Sequence, residues 1–373
     1  MSVAVSGAQV KQKDDARFMN LALTLGRRGL GRTWPNPAVG AVIVKDGVVI
    51  GRGWTQPGGR PHAETEALRR AGDAARGATM YVTLEPCSHH GKTPPCADAI
   101  IAAGIARVVS AIEDPNPEVA GQGHARLRAA GIAVDVGTGA EEARRDHAGH
   151  IRRMRCGRPH VMLKLAISAD GKAAAAGHKP MPITGEAARE RVHLMRAQSD
   201  AIMIGIGTAL ADDPLLTCRL PGMEKASPVR IVLDSALRLP LASRLVMSAR
   251  EVPVWVVGDA NAPRTLEDAL LAQGVKVLRS AGNGGRLELS AVLKLVAARG
   301  ITRLMVEGGP TLASALLTAD LVDEAQLFHS LRTVGANGID ALDANAAAAL
   351  AQHLGPTGSE PVGLDRLDFY QRG

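Results

Sequence analysis

His62-Ala63-Glu64, followed further along by Pro86-Cys87 and then Cys96, constrains this chain more than any other feature. One imidazole and two thiolates form a three-ligand set for a tetrahedral zinc ion whose fourth position stays open to water. The set fixes local architecture as well as chemistry. A helix is expected from His62 to Ala71, a strand from Ala78 to Leu84 leading into Glu85-Pro86-Cys87, and a second helix from Cys96 that Gly104 closes. Both helices follow strands, so their N-termini meet at one edge of a sheet, where partial positive charge favours thiolate over thiol. Cys87 and Cys96 are therefore read as ligands, and Cys156 and Cys218 as ordinary buried or surface residues. Four cysteines in 373 residues do not make a disulfide framework.

Glu64, two residues after His62 and not itself a ligand, is the candidate catalytic acid–base. Zinc lowers the pKa of its water, and a neighbouring carboxylate carries the proton to a departing amine. That combination suits hydrolytic deamination at an amidine carbon of a pyrimidine or purine ring. The cysteine spacing narrows the class. Deaminases of RNA and DNA use Pro-Cys-x-x-Cys, whereas here eight residues, Ser88 to Pro95, separate Cys87 from Cys96. The loop brings His89 and Lys92 to the mouth of the site as candidate contacts to a phosphate or a pyrimidine ring, and Pro94 and Pro95 stiffen it.

The length allows two domains. Residues 14–29 present a helical apolar face, and residues 38–54 read as a hairpin around Lys45-Asp46-Gly47. Strands at 107–112 and 132–136 flank a helix at 122–130, which makes an α/β layer domain. The charged stretch 141–158 is read as the boundary, giving domains 1–150 and 151–373. Beyond it, apolar strand runs at 161–167, 201–205, 229–233, 252–257, 275–278 and 303–306 alternate with helices at 186–198, 266–273, 290–298 and 310–318, a second α/β domain. An Ala-rich helix at 344–351 is expected on the surface. The net charge of +7 fits either an anionic ligand or a generally basic surface. Aromatic residues are only 2% of the chain, which argues against a stacking platform for single-stranded nucleic acid. No long polybasic tract, no apolar run before Lys11 and Lys13, and no stretch of about 18 uncharged apolar residues is present, so no nucleic acid, signal peptide or membrane span is expected, and a cytoplasmic enzyme is.

Pro35-Asn36-Pro37 with Val39-Gly40, His62-Ala63-Glu64, Thr83 to Cys96, and Asp114-Pro115-Asn116-Pro117 with Val119-Ala120-Gly121 together resemble the deaminase half of the bifunctional riboflavin-biosynthesis deaminase/reductase family. The resemblance runs through nearly the whole chain. It implies a cytidine-deaminase-like three-layer domain followed by a dihydrofolate-reductase-like α/β domain. It also implies two reactions on a phosphorylated pyrimidine: hydrolysis of the 2-amino group of 2,5-diamino-6-(5-phosphoribosylamino)pyrimidin-4-one with Zn2+, then NADPH-dependent reduction of the ribosyl group to ribityl. Asn36, His89 and Lys92 become candidate substrate contacts of the first half, and a homo-oligomer is expected.

For the second half, Lys164 to Lys172 resembles the family's first reductase strand and loop, with Ala166 at the cofactor and Lys164 steadying an alkoxide or substrate hydroxyls, or else closing a salt bridge at a strand end. Arg196 is implied as a phosphate ligand, Thr208, Asp212 and Ser235 as cofactor contacts, and Leu216 and Arg219 as substrate contacts. Glu307-Gly308-Gly309-Pro310-Thr311 is the more specific motif. Two glycines let backbone amides approach a phosphate at a helix N-terminus, so Gly308, Gly309, Pro310 and Thr311 are assigned to NADPH and Glu307 to substrate. The family's Ser-x-Trp-Ile-Thr is here Pro180-Met181-Pro182-Ile183-Thr184: both prolines depart from the pattern, while the substrate candidate Thr184 and Gly185 remain. Two other readings stand beside this one: a deaminase with an inactive, scaffold-like second domain, and an RNA-acting deaminase with an RNA-binding C-terminal half.

Overall fold

Helix α1 (Gly7–Gly26) buries Phe18, Met19, Ala22, Leu23 and Leu25, an apolar stripe at helical spacing, against strand β1 (Gly40–Lys45). The approach is close enough that a Cβ on Gly40 would lie 1.9 Å from the carbonyl oxygen of Ala22, so only glycine fits there. Asp46 and Gly47 both take positive φ (51° and 76°), which makes the two-residue turn into β2 (Val48–Trp54) that the Asp-Gly pair predicts. The computed structural model describes residues 7–89, 94–117, 119–178, 181–283 and 285–373. They form two compact units that divide between Gly157 and Arg158.

In the first unit, α2 (Ala63–Ala71), β3 (Thr79–Val82), α3 (Cys96–Ala102), β4 (Arg107–Ser110), α4 (Gln122–Ala129), β5 (Ala133–Val136), α5 (Ala140–Asp146) and α6 (Ala148–Cys156) follow. The sheet order is β2-β1-β3-β4-β5, antiparallel as far as β3 and parallel beyond it. Helices α2, α3 and α4 pack side by side, which places the start of α2 and the start of α3 at one end of the sheet. The core is Val, Ile, Leu, Ala and Met with Phe18 and Tyr81, as a chain with so few aromatics requires.

The second unit contains β6 (His160–Ile167), β7 (Lys172–Ala174), α7 (Glu186–Ala197), β8 (Ala201–Gly205), α8 (Ile206–Asp212), β9 (Val229–Leu233), α9 (Arg244–Met247), β10 (Val254–Asp259), α10 (Arg264–Ala272), β11 (Lys276–Ser280), β12 (Gly282–Asn283), β13 (Arg286–Leu287), α11 (Leu289–Ala297), β14 (Arg303–Val306), α12 (Pro310–Thr318), β15 (Glu324–His329), β16 (Ile339–Asp340), α13 (Ala344–His353), β17 (Gly355–Val362) and β18 (Asp365–Gln371). Its main sheet has the order β11-β10-β9-β8-β14-β6-β15-β18-β17. The strands from β11 to β15 are parallel, and β18 and β17 add antiparallel edges. From β8 the chain crosses outward to β9; from β14 it crosses the other way to β15. The sheet therefore has a topological switch point between β8 and β14, where open α/β sheets bind ligands at the carboxyl ends of their strands.

Two stretches carry more structure than the sequence reading gave them. The charged stretch 141–158, read as the boundary, is largely helical: most of it lies in α5 and α6, which bury Ala143 and Gly149, with His147 buried at their junction. The Ala-rich helix α13 lies at the surface with one face packed on α12, burying Ala346, Ala349 and Leu350.

Candidate active sites

His62 is the N-cap of α2, in extended conformation, so its ring turns back over the helix start. Cys96 is the first residue of α3, and its backbone N–H donates to Cys87 Sγ at 3.3 Å. The three side chains converge: His62 Nδ1 lies 3.3 Å from Cys96 Sγ and 3.8 Å from Cys87 Sγ. In a tetrahedral zinc site the imidazole nitrogen and a thiolate sulfur stand about 3.5 Å apart, so the set fits the ion that the spacing predicts. The hydrogen bond from Cys96 draws the Cys87 thiol down to about 4, while the same bond pushes the Cys96 thiol well up. Two thiols sharing one proton beside an imidazole are a ligand set poised to exchange that proton for a cation. Glu64, in the first turn of α2, is 4% exposed, and burial raises its pKa above the usual carboxylate range.

These groups open into a cavity of about 200 Å³. His62, Glu64 and Cys87 line it, as do the predicted contacts Asn36 and His89; Asn36 Nδ2 also donates to the Gly59 carbonyl at 2.8 Å and sits 3.3 Å from His62 Nε2. Lys92 lies outside the described residues. The sequence reading assigned no role to Arg60, Asp114, Asn116, His150 or Arg153, which line the same cavity. The Asp-Pro-Asn-Pro turn signature was the available signal for Asp114 and Asn116; no local pattern marks the others. A second group with metal-ligand spacing, Glu85, Glu113 and His124, has a different job. The Glu85 carboxylate accepts four backbone N–H bonds, from Asp114 (3.0 Å), Gly121 (2.9 Å), Gly123 (2.7 Å) and His124 (3.2 Å), and so clamps the 114–124 segment against the strand end that carries Cys87.

In the second unit the predicted residues gather at the carboxyl ends of the parallel strands. Glu307 follows β14, Ser235 follows β9, and Ala166 and Lys164 lie on β6. Thr208, in the first turn of α8, accepts a hydrogen bond from the Gly309 N–H at 3.1 Å, which joins the starts of α8 and α12 across the switch point. Gly309 is the N-cap of α12, with Pro310 and Thr311 opening the helix. A Cβ on Gly308 would meet the Leu312 side chain at 2.7 Å. This glycine cradle at a helix N-terminus fits a cofactor's phosphates. Asp212 sits exposed at the far end of α8, away from the helix start.

Arg196, expected at a phosphate, is engaged with protein here: Nε and Nη2 donate to Glu307 at 2.9 and 2.7 Å, and Nη1 donates to the Thr217 carbonyl at 3.1 Å. Burial pushes the Glu307 carboxyl up, but the Arg196 charge outweighs it and the net shift is downward. Burial draws the Lys164 ammonium below its usual range, with Glu307 the opposing charge; its Nζ also lies 5.6 Å from the Phe328 ring centre. Leu216 is buried in the left-handed region (φ 57°), next to Thr217. Arg219 donates its backbone N–H to His193 Nδ1 at 3.3 Å, bringing into the cluster a histidine that the sequence reading missed. Thr184 is buried just before the N-cap of α7; Pro180 lies outside the described residues.

Comparison with known proteins agrees with both halves. Residues 12–112 match the cytidine and deoxycytidylate deaminase zinc-binding region, and residues 159–360 match the RibD C-terminal domain. The riboflavin biosynthesis protein RibD of Escherichia coli K12 is 45% identical over 335 residues, covering 87% of this chain and 89% of that protein. The chain belongs to the RibD family. Acinetobacter baumannii RibD superposes with a TM-score of 0.86 at 37% identity, covering 97% of this chain and 99% of that one. A Thermotoga maritima diaminohydroxyphosphoribosylaminopyrimidine deaminase/5-amino-6-(5-phosphoribosylamino)uracil reductase superposes at 0.84 with 34% identity, covering 97% and 100%. Like other RibD proteins, the chain is a bifunctional deaminase and reductase of riboflavin biosynthesis that uses Zn2+ and NADPH. With the reductase domain present, the scaffold reading of the second half is set aside. Among the described residues no helix is long and apolar enough to cross a membrane.

Proposed function

We propose that the first unit deaminates 2,5-diamino-6-(5-phosphoribosylamino)pyrimidin-4-one and that the second reduces the product's ribosyl arm to ribityl, in that order. The convergence of His62, Cys87 and Cys96 beside the buried Glu64 carries the first assignment. Zinc on that triad supplies a water of lowered pKa. Glu64 would accept a proton from the attacking water as the water's oxygen bonds to ring carbon C2. The same carboxyl then protonates the 2-amino nitrogen as its bond to C2 breaks and ammonia departs, while the second proton of the attacking water passes to ring nitrogen N3 and leaves C2 as a carbonyl. Its raised pKa suits a group that must hold the proton between those two steps.

In the second unit, NADPH supplies the hydride. The amides at the start of α12 and the Thr208 hydroxyl receive the cofactor's phosphates, with Ala166 and Ser235 lining its path. Glu307, held ionised by Arg196, accepts from substrate hydroxyls, and Lys164 donates to them. Thr184, Leu216 and Arg219 complete the substrate wall. The enzyme acts in the cytoplasm as a homo-oligomer on a free small molecule, not on nucleic acid.

Half-reactions separate these roles. Glu64→Gln is expected to keep zinc and to lose ammonia release by about 10²–10⁴-fold, while still oxidising NADPH when given the deaminated pyrimidine. Cys87→Ala loses zinc and ammonia release together. Wild-type deamination by zinc-loaded Glu64→Gln removes the proton-transfer role.

A further inference from the structure

We propose that Arg230 is a positioning residue of the reductase: from the core of the second unit it fixes the segment 213–219, and through that segment the wall that receives the pyrimidine. The inference rests on the reading of Leu216, Arg219 and Glu307 as substrate contacts given above.

Arg230 is the second residue of β9 and is fully buried, at 0% exposure. Burial draws its guanidinium down to about 10, against the opposing charge of Glu251, and leaves it a cation at neutral pH. A buried cation is costly unless its donors find acceptors. Here Nη1 donates to the Leu215 carbonyl at 3.1 Å and to Ser248 Oγ at 2.8 Å, and Nη2 donates to the Ser248 carbonyl at 3.0 Å and to the Val252 carbonyl. Ser248 is the C-cap of α9, so most of these bonds gather the end of that helix. The bond to Leu215 reaches a different part of the chain. Strand β9 does not itself call for a charge at this place: its other residues, Val229, Ile231, Val232 and Leu233, are buried and apolar. An apolar side chain would complete the strand, but it would leave Leu215 unheld.

Leu215 stands where the backbone needs holding. On either side of it, Asp213 has φ 38° and Leu216 has φ 57°. A residue with a Cβ keeps such left-handed geometry only where its surroundings impose it. Helix α9 braces the segment from both ends. At its start the Arg244 N–H donates to Asp213 Oδ1 at 2.8 Å, and at its end Arg230 holds Leu215. Beyond the Leu216 turn, the Thr217 carbonyl accepts from Arg196 Nη1 at 3.1 Å, and the same guanidinium holds both oxygens of Glu307. The Cys218 N–H donates to Ser227 Oγ at 3.1 Å. Contacts therefore run from a core cation, through one carbonyl, a left-handed turn and a second carbonyl, to the carboxylate that meets substrate. Releasing Leu215 lets the Leu216 turn relax and shifts Thr217 and Arg219 together.

The test measures steady-state reduction on the zinc-loaded full chain, given the deaminated pyrimidine and NADPH, with kcat and each KM read separately. Arg230→Met is expected to raise KM for the pyrimidine about ten-fold, with kcat and the KM for NADPH within about two-fold of the wild type. Arg230→Lys keeps the charge without the fork and restores part of the loss. Ammonia release by the first unit is unchanged in both. A purely structural role lowers the active fraction, and so kcat, while both KM values stay where they are; that result overturns the proposal, as does an unchanged KM for the pyrimidine. Where Arg230→Met does not fold, Ser248→Ala carries the test, because it removes one acceptor of the guanidinium. A rise of about two- to five-fold confined to the pyrimidine KM is expected there, and an unchanged value overturns the proposal. Arg219→Ala separates this inference from the reading beneath it. If Arg219→Ala leaves the pyrimidine KM unchanged, the substrate wall itself is misassigned. If Arg219→Ala raises it and the Arg230 variants do not, the wall stands and the positioning role falls.

Discussion

At the scale of single residues, electrostatics decides what each buried charge does. Arg158 donates to Asp323 from Nη1 and Nη2 at 2.6 and 2.8 Å, and the Val161 N–H donates to the same carboxylate at 2.9 Å, tying the start of β6 to the residue before β15. Burial alone would raise the Asp323 pKa; the ion pair outweighs it, and the net shift is downward. A carboxyl held below its usual range stabilises the fold fully above a pH of about 4, and that stability is lost as pH falls through the lower folded value. Asp323→Asn is therefore expected to cost about 3 kcal/mol at neutral pH, and the gap to the wild type should narrow below a pH of about 4. Urea unfolding across a pH series checks this, and a gap independent of pH contradicts it. Residues were legible in the sequence where one short segment carries its own chemistry: His62, Glu64, Cys87 and Cys96 were read directly, and they converge. Arg60, His150 and Arg153 were not, because only the fold brings residues so far apart in sequence into one cavity. The pairing of Arg196 with Glu307 was not legible, since a sequence shows a cation but not the carboxylate it pairs with.

At the scale of elements, backbone contacts set the metal ligands. The start of α4 presses on the Cys87 segment: a Cβ on Gly123 would lie 2.0 Å from the Pro86 carbonyl oxygen and 3.1 Å from Glu85 Cγ. Gly123→Ala must push α4 and the Cys87 segment apart. The expected results are a loss of about 1–3 kcal/mol in stability and weaker zinc retention against a chelator. Gly358→Ala, whose nearest neighbour is Phe369 Cδ2 at 3.9 Å, serves as the tolerated comparison. Zinc retention unchanged in Gly123→Ala shows that the helix does not position Cys87. Elements were readable where hydrophobic period and punctuation agree, as for β1, β8, β9, β14 and α12. They were missed where tertiary pairing overrides local signals. Strand β17 contains Gly355, Pro356, Gly358 and Pro361, which read as a loop, yet it pairs with β18 along its length at the sheet edge, where proline is tolerated. Helices α5 and α6 were hidden by their charge, because their buried positions are few and lie among charged residues.

At the scale of the whole molecule, two units with different sheets serve one pathway. The first builds its site where helix N-termini meet at a sheet end, the second where strand order reverses; in both, backbone amides and dipoles supply positive potential for anionic groups. The division of labour was legible because each half carries its own motif, His-x-Glu with Pro-Cys in one and Glu-Gly-Gly-Pro-Thr in the other. The central claim is that both motifs are live, and in sequence. One assay on the zinc-loaded full chain tests it most directly: give the phosphorylated diaminopyrimidinone with NADPH, and follow ammonia release and NADPH absorbance together. The account predicts ammonia first, then NADPH oxidation that lags it and that needs no lag when the deaminated pyrimidine is given instead. NADPH oxidation preceding ammonia, or ammonia with no NADPH oxidation from either pyrimidine, contradicts it.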